Sequence, residues 1–248
     1  MRAADRREMK GLSTLIRTDL LVDYMLRFVG FGAPSASVWF VGLEQGGGEN
    51  LAELDRRLAV WADLGCRPFA DLREYCLRLG DLRWHGNVPR IQPTLGKLVR
   101  LILALEGKVP TPDVVREYQA HQFGRLDGQT VIAELMPLPC RNVSDWIYSA
   151  VNGVPELITR EAYVDAYRRP RIALLRAAIR ASAPRVVVFI GLSETETWAE
   201  IADQPFADGP ANALWARSGQ TRWVILKHPT AFGAKNAYFE TIGREISA

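Results

Sequence analysis

Acidic, hydroxyl and imidazole side chains follow apolar segments of this chain, at points where chemistry could take place. Glu44 lies in the stretch VWFVGLEQGGGEN (residues 38–50), just before three consecutive glycines. Glu134 lies late in a second apolar run, Ser193 follows a third and His228 follows a fourth. A carboxylate and an imidazole in one crevice could transfer protons or stabilise developing charge. A histidine after a strand is more often structural, so a functional interpretation requires a fold that brings these residues together.

The apolar segments predicted as buried strands alternate with segments of helical periodicity. The predicted strands are residues 38–42, 130–135, 185–190 and 222–227. The predicted helices are residues 12–29, 49–64, 68–79, 95–105, 159–182, a segment from 194, and 237–246. Strands that are apolar throughout are typical of a parallel sheet covered on both faces. The pattern predicts an α/β fold with a central four-stranded, mainly parallel sheet, and ligands bind such sheets at the carboxyl ends of the strands.

Composition narrows the class of protein. The chain has 248 residues, of which 48% are hydrophobic and 24% charged, which suits one sizeable domain or at most two small ones. No apolar segment approaches the roughly 20 residues of a membrane span, and the charged N-terminus predicts no secretory signal. The three cysteines lack metal-ligand spacing and suggest reduced thiols in the cytoplasm. A net charge of +3 permits an anionic partner without requiring one.

The glycines at 46–48 leave two interpretations open. They do not match the phosphate-binding pattern GxxxxGK[ST] or the dinucleotide pattern GxGxxG. They could let a ligand approach the main chain, or they could form a tight turn in a mobile loop. The other common chemistries lack their residues, because GLS at 191–193 is not a G-x-S-x-G nucleophile turn and a zinc site has too few ligands.

Four motifs in order resemble the uracil-DNA glycosylase superfamily. They are GLEQG (42–46), PLPCRN (137–142), GLS (191–193) and HPT (228–230), each at a strand end. The resemblance runs from about residue 35 to 246. It implies a three-layer αβα sandwich, one domain over residues 1–248, with an N-terminal helix at 12–29 and a core at 35–246. We expect a cytoplasmic monomer whose partner is DNA, in duplex or single-stranded form.

The segment QPTLGKL (92–98) resembles the thermophilic branch of that superfamily, which binds an iron–sulfur cluster through four cysteines. This chain has three cysteines at other places, so we expect no cluster, no other cofactor and no metal.

The resemblance implies that the enzyme flips a nucleotide out of DNA and hydrolyses its N-glycosidic bond. Glu44 falls where the family keeps its catalytic carboxylate, and His228 where it keeps the donor to the departing base. Phe232 falls at the position of an apolar wedge that fills the gap left by the flipped nucleotide, unless it is a core aromatic. Candidate phosphate contacts are Ser193, Thr230, Lys235 and Asn236. No lysine matches a Schiff-base role, so we expect a monofunctional enzyme that leaves an abasic site.

Two positions indicate which base the enzyme would remove from DNA. Glu134 stands where the family reads the base with Asn. An ionised carboxylate there would accept a hydrogen bond from the amino group of cytosine, which favours a cytosine-type base unless Glu134 is protonated. Gly46 replaces a tyrosine that excludes substituents at C5. The sequence therefore predicts a C5-substituted cytosine, such as hydroxymethylcytosine or its glucosylated form in phage DNA, and a role in anti-phage defence. The predicted base-binding residues are Gly42, Gln45, Gly46, Glu134 and an aromatic, either Phe69 or Trp84.

Several alternatives remain open from the sequence. The register could be shifted so that Glu134 caps a neighbouring loop, which would favour an enzyme for uracil or another deaminated base in excision repair. The chain could be an inactive member that binds DNA or a protein partner. It could also be a generic α/β hydrolase that acts on nucleotides or nucleosides.

Overall fold

A mixed sheet runs through the described part of the molecule. The computed structural model describes residues 16–142 and 145–248. The strands are β1 (Gly30–Phe31), β2 (Val38–Glu44), β3 (Phe69–Ala70), β4 (Thr130–Met136), β5 (Val186–Ile190), β6 (Ala207–Asp208), β7 (Leu214–Ser218) and β8 (Thr221–Leu226). Their spatial order is β3-β1-β4-β2-β5-β8-β7-β6. The α/β class is thus confirmed, with eight strands in the sheet rather than four.

The four strands predicted from the sequence lie next to one another in the middle of this sheet. Strand β2 pairs in parallel with β4 and β5, and β5 pairs in parallel with β8. The additional strands lie at the two edges, where β1 is antiparallel to β4 and β7 is antiparallel to β8. Sequence periodicity misses β1, β3 and β6 because each has only two residues.

Helices cover both faces of the central strands. Successive side chains of a strand point to opposite faces, and every residue from Val38 to Gly42 and from Val186 to Ile190 is buried. Both faces of β2 and β5 are therefore packed, which explains why their sequences are apolar without alternation.

Nine α-helices are found in the described residues. They are α1 (Thr18–Arg27), α2 (Leu51–Asp63), α3 (Leu72–Arg78), α4 (Leu82–His85), α5 (Pro93–Leu105), α6 (Pro112–His121), α7 (Arg160–Ser182), α8 (Thr195–Ala202) and α9 (Asn236–Ser247). Polar side chains fix several starts: Asn50, Asp71, Gln92, Thr111 and Thr159 each accept a hydrogen bond from a backbone N–H three residues later. None of these helices is long and apolar enough to cross a membrane.

Helix bounds differ from the sequence predictions in a few places. Residues 12–15 of the predicted first helix lie outside the described residues. The predicted helix 68–79 begins only at Leu72, because Phe69 and Ala70 pair with β1. Helix α6 was missed, although Thr111 caps it and Pro112 occupies its first position, an arrangement that favours helix initiation.

Candidate functional site

The carboxyl ends of the four parallel strands carry most of the predicted site residues. Strand β2 ends at Glu44, β4 holds Glu134, and Ser193 and His228 follow β5 and β8. Since these strands are parallel, their carboxyl ends lie along the same edge of the sheet. The strand order puts β8 two positions from β2, a lateral spacing of about 10 Å.

Glu44 and Glu134 extend from the same face of the sheet. Gly42 pairs with Glu134, and Glu44 pairs with Met136 two residues further on, so the register is regular. The Glu134 carboxyl covers Gly42: a Cβ atom at residue 42 would lie 2.3 Å from Oε2. The loss of a side chain at Gly42 is therefore what makes room for this carboxyl group.

The carboxyl group of Glu134 has an unmet hydrogen-bonding requirement. Its Oε2 is buried and has no hydrogen-bond partner in the described part of the chain. Burial, with a smaller contribution from the charge of Glu44, raises the pKa of Glu134 to about 8. At neutral pH this side chain is mostly a carboxylic acid that can both donate and accept. The raised pKa favours the protonated form of Glu134 over the ionised acceptor on which the cytosine prediction rests.

Glu44 is held by an arginine that the sequence analysis did not single out. Nη2 of Arg160 lies 2.5 Å from Oε1 of Glu44, and the two side chains are 21% and 11% exposed. Arg160 is the first residue of α7, 116 residues after Glu44. The thiol of Cys140 interacts with both groups, and burial together with the charge of Glu44 raises its pKa. Only tertiary structure could identify this cluster, because no local pattern links its members.

At two of the three positions in the glycine loop (residues 46–48), the backbone structure requires glycine. Gly47 and Gly48 have φ angles of +107° and +80°. A Cβ atom at Gly48 would lie 2.3 Å from the carbonyl oxygen of Pro139. Glu53 of α2 accepts hydrogen bonds from the N–H groups of Gly48 and Glu49 at 3.1 and 2.8 Å. The loop is thus packed between α2 and the segment 137–142.

Gly46 differs from its neighbours. It is exposed, and an added Cβ atom would have nothing within 4 Å. The space beside this residue is open to a ligand. Gln45, by contrast, directs its amide into the protein, where Nε2 donates to Oη of Tyr24 and Oε1 accepts from Arg57, both at 3.3 Å.

Thr230, the last residue of the HPT motif, holds His228 in one tautomer. The N–H of Thr230 donates to Nδ1 of His228 at 3.2 Å, and Oγ1 of Thr230 lies 2.8 Å from the same nitrogen. Because Nδ1 accepts, the proton of the neutral ring is on Nε2. Partial desolvation and the charge of Lys97 lower the pKa of His228. The exposed imidazole therefore presents an Nε2–H donor at neutral pH.

The remaining residues of the HPT region form an exposed surface. Phe232 is 102% exposed, so it is not a core aromatic. Thr230, Lys235 and Asn236 are exposed as well, and so is Ser193 after β5. Their positions leave them accessible to a large ligand.

Each candidate for the stacking aromatic already contacts another side chain. Phe69 lies in β3 and packs edge to face on Trp39, with ring centroids 5.6 Å apart. Since side chains alternate along β2, Trp39 and Glu44 lie on opposite faces of the sheet, which puts Phe69 on the wrong side. Trp84 lies in α4, with the guanidinium carbon of Arg83 4.2 Å above its ring.

The described residues contain no group of three or more His, Cys, Asp or Glu side chains that could hold a metal ion. The comparisons with known proteins add no assignment: no family model matches the chain, and no curated protein matches it. Function must therefore be inferred from the chemistry of the sheet edge.

Proposed function

We propose that this chain is a DNA glycosylase of the uracil-DNA glycosylase type, a three-layer αβα sandwich built around its central parallel strands. The observation that supports it best is that a negatively charged group and a hydrogen-bond donor lie along the same edge of the sheet. Glu44 offers negative charge beside β2, and His228 offers a neutral Nε2–H donor after β8. Cleavage of an N-glycosidic bond needs both, because the sugar becomes cationic while the base leaves with negative charge.

The reaction follows from these two groups. The electron pair of the bond between C1′ and the base leaves with the base, and His228 donates a hydrogen bond to the base as charge accumulates on it. Glu44 stabilises the cationic sugar and accepts a proton from the water whose oxygen bonds to C1′. The departing base takes up a proton from solvent. The products are a free base and an abasic site. One donor aimed at developing charge contributes about 3 kcal/mol, so His228→Ala should slow base release by about two orders of magnitude.

The base that fits is a pyrimidine. The protonated carboxyl of Glu134 can donate to N3 of cytosine while accepting from its amino group. It can equally donate to O4 of uracil while accepting from the N–H at position 3. Glu134 therefore selects the pyrimidine edge, and the choice among pyrimidines falls to the open space at Gly46, which tolerates a substituent at C5.

A C5-substituted cytosine is our leading substrate, such as hydroxymethylcytosine or its glucosylated form in phage DNA. Removal of ordinary cytosine would destroy the host genome, whereas a modified base marks foreign DNA. An enzyme for uracil in repair is the second candidate, and the raised pKa of Glu134 favours it, because a protonated acid pairs with uracil as well as with cytosine.

The proposal is tested by incubating the protein with four duplexes that differ in one base: uracil, cytosine, 5-hydroxymethylcytosine or glucosylated hydroxymethylcytosine. Alkaline cleavage reveals abasic sites, and mass analysis identifies the released base. We expect release from the C5-substituted duplexes and none from cytosine. Release from uracil DNA alone would reject the modified-cytosine assignment but keep the glycosylase. DNA binding without release from any duplex would indicate an inactive DNA-binding protein.

A further inference from the structure

In the free protein the proposed catalytic carboxylate is engaged by a cation. Nη2 of Arg160 and Oε1 of Glu44 lie 2.5 Å apart, a charge-assisted hydrogen bond. Both side chains keep some exposure, 21% for Arg160 and 11% for Glu44. The pair is thus at the rim of the site, where a ligand can reach it.

This ion pair opposes the chemistry expected of Glu44. A guanidinium beside the carboxylate offsets the negative charge that must stabilise a cationic sugar. It also occupies one of the two oxygens that would otherwise contact the attacking water. For Glu44 to act at full strength, Arg160 must have another anion as its partner while the nucleotide is bound.

Arg160 also has an unused donor. A guanidinium carries five N–H groups in a fixed plane. Nε of Arg160 is buried and has no hydrogen-bond partner in residues 16–142 and 145–248. A buried donor without an acceptor is costly, so this nitrogen favours the arrival of a ligand oxygen.

We propose that Arg160 exchanges Glu44 for a backbone phosphate of the bound DNA, and that this exchange frees the carboxylate only when a nucleotide occupies the site. The inference rests on the proposed glycosylase function. A phosphate lies on each side of a flipped nucleotide, and a guanidinium binds phosphate with two parallel hydrogen bonds. The amino end of α7, where Arg160 lies, adds a favourable field for an anion.

The test compares Arg160→Met with Arg180→Met in single-turnover base release at several salt concentrations. Arg180 is a matched control: it is on the same helix, about 30 Å away, and pairs with Asp203 at 2.6 Å. For Arg160→Met we expect a half-saturating DNA concentration about 10-fold higher and a salt slope smaller by about 1. Arg180→Met should match wild type, and Arg160→Lys should keep the slope.

The inference is wrong if Arg160→Met keeps the wild-type half-saturation and salt slope while its maximal rate collapses, since Arg160 would then only position Glu44. The same salt slopes can be measured without catalysis, from the binding of each variant to a duplex that carries a stable abasic-site analogue. If the wild-type protein releases no base, the proposed function fails, and the slopes of this binding assay still decide whether Arg160 contacts phosphate.

Discussion

The carboxyl group of Glu134 occupies the space above Gly42, where a Cβ atom would lie 2.3 Å from Oε2. The two residues are register partners on neighbouring parallel strands. The glycine leaves room over the sheet for this carboxyl group, whose Oε2 is buried and whose pKa is raised in part by the charge of Glu44. This packing explains the raised pKa of Glu134.

The pH dependence of stability should reveal the protonated Glu134. Its pKa rises from 4.5 to about 8 on folding, so the native state holds a proton that the unfolded chain has lost in this window. Stability conferred by that proton is therefore lost as pH rises from about 4.5 to 8. Glu134→Gln cannot ionise, and its stability relative to wild type should increase by up to about 1.4 kcal/mol per pH unit.

Urea unfolding of both proteins at pH 5, 6, 7 and 8 measures this difference. Glu245→Gln removes an exposed carboxylate in α9 and provides the control. Parallel pH profiles for wild type and Glu134→Gln would show that Glu134 ionises normally in the folded protein.

Alanine should lower the stability of the protein at Gly48 and have almost no effect at Gly46. Gly48 has a φ of +80°, and its added Cβ would approach the Pro139 carbonyl oxygen to 2.3 Å. Gly48→Ala should lower the free energy of unfolding by about 1–3 kcal/mol. Gly46→Ala meets open space and should be nearly neutral. Equal effects in thermal unfolding would contradict this division of the loop.

A larger side chain at residue 46 should change substrate choice. Gly46→Tyr should restore a ring beside C5 of the base and reduce release of C5-substituted bases by at least about 10-fold. Release of uracil, which has only hydrogen at C5, should persist. Competition between the two duplexes in one reaction measures the ratio directly, and an unchanged ratio would remove Gly46 from the base pocket.

Lys97 should influence the pH below which activity falls, which is the acid limb of the pH–activity profile. Its Nζ donates to the Pro229 carbonyl at 2.5 Å, and its charge, after desolvation, helps to lower the pKa of His228. Protonation of Nδ1 would break the hydrogen bond from Thr230, so activity should fall as pH drops through the pKa of His228. Lys97→Met raises that pKa, which moves the acid limb to higher pH.

Single-turnover rates between pH 4.5 and 8 measure the limb. Lys97→Arg keeps the charge and a donor, and it should retain the wild-type profile. If Lys97→Met has the same limb as wild type, a different group controls it.

Phe232 should contribute to DNA distortion without contributing to stability. Its side chain is fully exposed, at 102%, so Phe232→Ala should unfold within about 0.5 kcal/mol of wild type. A wedge holds a flipped nucleotide out of a duplex, so base release from duplex DNA should slow by about 10-fold, and release from single strands much less. Val88→Ala, also at an exposed apolar residue, is the control and should affect neither substrate.

The sequence predicted the central strands because their burial on both faces leaves a continuous apolar signal. That signal was sufficient to assign Glu44, Glu134 and His228 to one edge of the sheet, since parallel strands share their carboxyl ends. The edge strands escaped detection because strands of two residues have no period, and β7 mixes exposed and half-buried residues.

The chemistry of the candidate site was less accessible to sequence analysis. The ion pair between Glu44 and Arg160 joins residues 116 positions apart. The acidity of Glu134 depends on burial and on the neighbouring carboxylate, and both are properties of the tertiary structure. Residue type alone leaves the choice between an ionised and a protonated Glu134 open, and the packing over Gly42 favours the protonated form.

The most direct test of the glycosylase proposal is mass-spectrometric detection of free base after incubation of wild-type protein and Glu44→Gln with the same duplexes. We predict that wild type releases a pyrimidine base and leaves an abasic site, and that Glu44→Gln slows the release by at least about 100-fold while its unfolding curve is retained. Equal release by both proteins, or none from any duplex with wild type, would contradict the proposal.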